Sequence, residues 1–150
     1  VLFFGALPEL PTSKEREHGF RKALKDRAVK VDYLYTDKFH KNNAANTFAQ
    51  WLSEKGNLPT TIFTTSFTLL EGVMLVLLQR FGHVPHHLTI ATFGHFEMLE
   101  LLENPVICSV QDYDKISQSL LNLAFNAISK KHKNTANNAP LTRKVIKYHC

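Results

Sequence analysis

Residues 1–24 read VLFFGALPELPTSKEREHGFRKAL, and the fold turns on this stretch. Val1–Ala6 is an almost unbroken apolar run, as expected of a strand covered on both faces of its sheet. A proline-containing turn follows. Thr12 and Glu15 then stand at capping-box spacing, which predicts a helix from about Ser13 with Phe20, Ala23 and Leu24 turned inward. An apolar strand running straight into a helix is the first half of a βαβ unit.

The chain repeats that pattern. VDYLYT (31–36) reads as a second strand. KNNAANTFAQWLSEKG (41–56) sets Ala44, Ala45, Phe48, Trp51 and Leu52 on one helical face, with Gly56 as its stop. TTIFTT (60–65) is a third strand, and FTLLEGVMLVLLQRFG (67–82) a helix closed by Gly82. Beyond Pro85, LTIATFG (88–94) is a fourth strand, HFEMLELLEN (95–104) a short helix and PVICSVQ (105–111) a fifth strand. A long helix is expected from Tyr113 to Lys131. KKHKNTANNAP (130–140) is polar and turn-rich, and LTRKVIKYH (141–149) alternates like a last, partly exposed strand. Strands alternating with helices of this length predict an α/β fold with a flavodoxin/Rossmann-type parallel sheet.

The bulk properties fit one ordinary domain: 150 residues, 44% hydrophobic, 21% charged. A net charge of +5 permits phosphorylated ligands or nucleic acid without demanding either. Cys108 and Cys150 are too few for a disulfide framework or a zinc ribbon and read as free thiols. The longest apolar run, LLEGVMLVLLQ (69–79), falls short of the roughly 20 residues a membrane span needs.

In an open parallel sheet, ligands bind beyond the carboxyl ends of the strands. That rule selects the loops Ala6–Arg16, Thr36–His40, Thr65–Thr68, Gly94–Glu97 and Gln111–Tyr113. Their polar side chains are Glu9, Ser13, Arg16, Asp37, Lys38, Ser66, His95 and Gln111, with Phe39 and Phe67 as apolar planes. Such a lining suits a polar small molecule of the sugar-phosphate kind, because an arginine can hold two phosphate oxygens at once.

Other chemistries find no support. After Gly5 the second and third glycines of a dinucleotide fingerprint are missing, and no Gly-Lys-Ser/Thr completes a P-loop. No Gly-x-Ser-x-Gly elbow supplies a hydrolytic nucleophile. His83, His86, His87 and His95 flank a turn, not the helix that a zinc-binding pair needs, and no cysteine sits close in sequence. No cofactor, no metal and no enzymatic activity are expected.

Two blocks go beyond generic α/β patterning: LPELPTSKEREHGFRKAL, with Arg16 followed after two residues by Gly19-Phe20, and GHVPHHLTIATFGHFEMLELLENPVICSVQDY. With FTTSFTLLEGVM between them, the chain resembles the effector-binding region of the lactose/galactose-repressor (LacI) family from Val1 to about Arg143. The resemblance implies a periplasmic-binding-protein-like fold, mostly the second subdomain of two. Residues 1–105 and 140–148 would form part of that second subdomain. The strand and helix of 106–131 would belong to the first subdomain, and the DNA-binding headpiece would be absent. The start at Val1, inside an apolar run, agrees with a piece of a longer protein.

By resemblance, Arg16 is the effector grip, Phe39 the aromatic that stacks on the sugar, Ser66 the polar position after the third strand with Phe67 beside it, and Gln111 the amide after the fifth. Ser13 joins this set. His95 and Phe96 stand where the family carries an aspartate and an acidic or amide neighbour. A protonated His95 would favour a second phosphate. The implied protein is a cytoplasmic transcriptional repressor that senses fructose 1-phosphate or fructose 1,6-bisphosphate and binds operator DNA through its N-terminal domain, as a homodimer or homotetramer away from any membrane. Readings on the same sheet that compete with it are an extracytoplasmic sugar-binding protein, a sugar-phosphate enzyme and a non-functional remnant of a repressor gene.

Overall fold

A computed structural model describes residues 1–128 and 142–149. The elements in chain order are β1 (Leu2–Ala6), α1 (Pro11–Leu24), β2 (Asp32–Thr36), α2 (Lys41–Lys55), β3 (Thr61–Thr64), α3 (Phe67–Phe81), β4 (Thr89–Phe93), a 3-10 segment (Glu97–Leu101), β5 (Val106–Val110), α4 (Tyr113–Ile128) and β6 (Lys144–Tyr148). The six strands form one sheet in the order β2-β1-β3-β4-β5-β6. β1 to β5 are parallel, with Phe4 beside Leu34 and Thr64, and Thr92 beside Cys108. β6 returns antiparallel along β5, with Ile146 opposite Cys108.

Side chains alternate across the sheet, so each face has its own layer. Leu2, Phe4, Ala6, Ile62, Ile90, Val106 and Cys108 point to the face covered by α2 and α3, where the main core lies. The five inward residues expected of α2 are all buried there. α2 and α3 approach so closely at Gly72 that a Cβ would lie 2.6 Å from both Ala44 Cβ and the Lys41 carbonyl oxygen. Both helices stop at a left-handed glycine, Gly56 and Gly82, each with φ 74. On the opposite face Phe3 packs with Phe20 of α1 (ring centroids 4.9 Å apart) and with Phe63 (5.5 Å).

Several sequence expectations need correction. α1 begins at Pro11, with Leu10 at its N-cap and no side-chain cap, so Thr12 and Glu15 form no capping box. Proline at the first helical position already carries the φ a helix needs, which moves the start upstream. Ala23 is exposed, and Phe20 and Leu24 are only half-buried, because α1 covers just part of its face. In HFEMLELLEN only Glu97–Leu101 is helical, a 3-10 segment whose one buried residue is Leu99.

The largest change concerns β5. It was expected in a separate subdomain's sheet, yet it is hydrogen-bonded between β4 and β6 in this one. The reason is physical: Val106 and Cys108 are fully buried in the same core as α3, and both strand edges are paired. α4 differs, since none of its residues is buried. The expected continuation of that helix to Lys131 lies outside the described residues.

Candidate functional site

The carboxyl ends of β3, β4 and β5 and the first turns of α1 and α3 bring four sequence-predicted residues together. Arg16, Ser66, Phe67 and Gln111 line one pocket of about 150 Å³, joined by Phe93, Gly94, Tyr113 and Arg143.

Arg16 reaches the pocket from α1. Its Nη1 donates to the Thr65 carbonyl at 2.8 Å, and its guanidinium carbon lies 5.1 Å from the centre of the Phe93 ring. Burial, and secondarily the positive charge of Arg143, lower its pKa from the ordinary value. Arg143 precedes β6; its Nη1 donates to the Ser109 carbonyl at 3.2 Å, and its guanidinium is also 5.1 Å from Phe93. Among the described residues neither arginine forms an ion pair. Each guanidinium is held by one carbonyl and one ring, and the rest of its donor fork has no carboxylate to satisfy it.

Ser66 is the N-cap of α3 and accepts from the Leu69 amide at 3.4 Å, so its hydroxyl hydrogen remains for a ligand. Phe67 is 41% exposed. It lies over Gly94, whose φ of +97 and 2.9 Å gap from a Cβ position to the Phe67 ring leave no room for a side chain. Gln111 is exposed at the end of β5. A larger groove of about 530 Å³ runs beside α1 over Gly19, Phe20 and Phe63, and shares Arg16, Phe93 and Arg143 with the pocket. These three residues therefore form the wall between the two hollows.

Three expected site residues are not part of this gathering. Ser13 is buried and its hydroxyl donates to the Ala6 carbonyl at 2.7 Å, tying α1 to the end of β1. Phe39 is half-buried against the hydrophobic core beyond β2, and the rings at the pocket are Phe67, Phe93 and Tyr113 instead. His95 turns to the sheet edge, where its Nε2 is 2.9 Å from the Tyr148 hydroxyl and 3.4 Å from Glu100. The charged neighbour of His95 is thus a carboxylate, Glu100. Conversely, Arg143 and Phe93 were missed. The alternating pattern of 141–149 marked a strand but not its direction; an antiparallel return beside β5 puts the head of that strand at the ligand-binding edge.

Between the pocket residues Gln111 and Tyr113 in sequence, Asp112 is 5% exposed at its side chain and lies 3.3 Å from Lys144 and 3.4 Å from Lys115. Burial alone would raise its pKa, but the Lys115 amide and the Lys144 and Lys115 ammonium groups outweigh that and hold it below the ordinary value. Among the described residues no group of three or more His, Cys, Asp or Glu side chains could hold a metal ion, and no helix is long and apolar enough to cross a membrane.

No protein-family model matches the chain. Individual proteins do. The catabolite repressor/activator of Salmonella typhimurium is 42% identical over 133 residues, which is 89% of this chain and 40% of that protein. The fructose operon regulatory protein of Vibrio cholerae is 38% identical over 128 residues, 85% of this chain and 39% of that one. The crystal structure of the Pseudomonas putida Cra transcriptional dual regulator in complex with fructose 1-phosphate superposes with a TM-score of 0.84 at 30% identity, covering 97% of this chain and 53% of the other. The chain is a homologue of these regulators over most of its own length. A LacI-family repressor structure from Corynebacterium glutamicum shares the fold, with a TM-score of 0.77 at 19% identity over 97% of this chain and 55% of the other. The fold is thus the periplasmic-binding-protein-like one of LacI-family effector-binding domains. The chain spans about two fifths of the length of its Salmonella relative.

Proposed function

We propose that this chain is the effector-binding part of a transcriptional regulator whose effector is a phosphorylated fructose. The observation that carries the proposal is Arg16: a half-buried guanidinium without an ion-pair partner among the described residues, opening on a pocket with Ser66 and Gln111 at the carboxyl edge of a parallel sheet. A buried cation without an anion is costly unless a ligand supplies one. The fructose 1-phosphate bound by the Pseudomonas putida relative has the matching chemistry.

The pocket is open on one side. In the intact regulator a first subdomain supplies the other wall, α4 (113–128) packs against that subdomain, and residues 1–110 and 144–148 remain as the second. The protein binds and does not catalyse. Effector favours one arrangement of the two subdomains and thereby changes the affinity of an N-terminal headpiece for operator DNA, with a coupling of about 1–3 kcal/mol. It acts in the cytoplasm as a homodimer or homotetramer, matching the two-fold symmetry of operators.

Calorimetric titration with fructose 1-phosphate and fructose 1,6-bisphosphate tests this. The expected result is saturable binding of the monophosphate that Arg16→Ala removes. A folded protein that takes up neither sugar phosphate refutes the assignment.

A further inference from the structure

We infer that Arg143 is the second half of a phosphate clamp, so that Arg16 and Arg143 together hold one phosphomonoester group beside Phe93. The inference rests on the sugar-phosphate reading above and adds to it a residue from the opposite end of the sequence.

Three observations converge on it. Both guanidinium carbons lie 5.1 Å from the same ring and line the same pocket, so two like charges share one site and repel each other unless an anion intervenes. Each arginine spends a single Nη1 on a backbone carbonyl, Thr65 for Arg16 and Ser109 for Arg143, and these bonds fix the orientation of the two forks. No ion pair neutralises either arginine among the described residues; the carboxylate of Asp112 is taken by Lys115 and Lys144. A guanidinium fork matches phosphate oxygens two at a time, and two forks match the charge of a dianion.

Phe93 sets the geometry. It is the last residue of β4, and it lies beside Ser109 of β5 in the sheet register. The Ser109 carbonyl that anchors Arg143 and the ring it packs against therefore belong to adjacent strands. Arg16 comes to the same ring from α1. A phosphate at this point has its remaining substituent directed past Ser66 and Gln111, which offer a hydroxyl and an amide to sugar oxygens.

The test is calorimetry on the full chain with fructose 1-phosphate, inorganic phosphate and unphosphorylated fructose, comparing wild type with Arg143→Ala, Arg143→Lys and Arg143→Gln. Thermal melts identify which variants are folded, and Arg143→Gln, which keeps a donor for the Ser109 carbonyl, stands in if the alanine variant unfolds. The expected result is a loss of fructose 1-phosphate affinity on the order of tenfold to a hundredfold in the neutral variants. Lysine, a point charge without a fork, should restore part of it. Affinity for fructose should not change. Equal fructose 1-phosphate affinity in wild type and a folded neutral variant overturns the clamp and leaves the sugar-phosphate reading standing. Inorganic phosphate bound through both arginines, with no gain from the sugar, keeps the clamp and removes the sugar. Neither phosphate nor fructose 1-phosphate bound by wild type overturns both.

Discussion

Gly72 has no side chain because the backbone of α2 runs through the space one would fill. A Cβ there would meet the Lys41 carbonyl oxygen at 2.6 Å and the Ala45 nitrogen at 2.7 Å, atoms that cannot rotate away. Gly72→Ala is therefore expected to destabilise the fold by about 1–3 kcal/mol, by forcing the two helices apart across the main core. Urea denaturation reads this directly: the midpoint falls and the slope is unchanged. Gly94 meets a different constraint, a positive φ beneath the Phe67 ring. One glycine sets how the core helices pack, and the other shapes the pocket.

Among the described strands β6 pairs only with β5, and Asp112 tethers it through Lys144. The folded-state pKa of Asp112 is depressed, so its contribution is fully present above its ordinary value of 3.8 and is lost as the pH falls through the folded value. Asp112→Asn should lower the melting temperature at about pH 6, and the gap to wild type should narrow as the pH falls below 3.8. A gap that stays equal would exclude the tether. The elements also differ in how plainly their sequences announce them. α2 was legible because Ala44, Ala45, Phe48, Trp51 and Leu52 repeat at helical spacing and all bury against one partner, α3. α1 was less so: Ser13 spends its hydroxyl on Ala6, and the residues behind it cover little of the sheet. For the site, the rule that ligands meet parallel strands at their carboxyl ends pointed to Arg16, Ser66, Phe67 and Gln111. It could not point to Arg143, whose place depends on the direction of β6, nor separate Phe39, which packs inward, from rings that face the pocket.

At the scale of the whole molecule, α4 stands apart. Leu120, Leu121, Leu123, Phe125 and Ile128 are all at least 51% exposed, an apolar surface of the kind that seeks cover. On its own, the chain should associate as its concentration rises, and Leu121→Glu with Phe125→Glu, one helical turn apart, should hold it monomeric in size-exclusion chromatography with light scattering. A wild-type chain that stays monomeric at high concentration would show that this face needs no cover. The antiparallel strand has a consequence in time as well as in space. Arg16 follows β1 and Arg143 precedes β6, so a nascent chain that has already packed α2 on α3 holds only one of the two cations. Recognition matures after the core, when β6 docks. From then on a bound anion joins α1 to the segment that leads into β6, and the strand with a single neighbour is the one that gains most from being clasped.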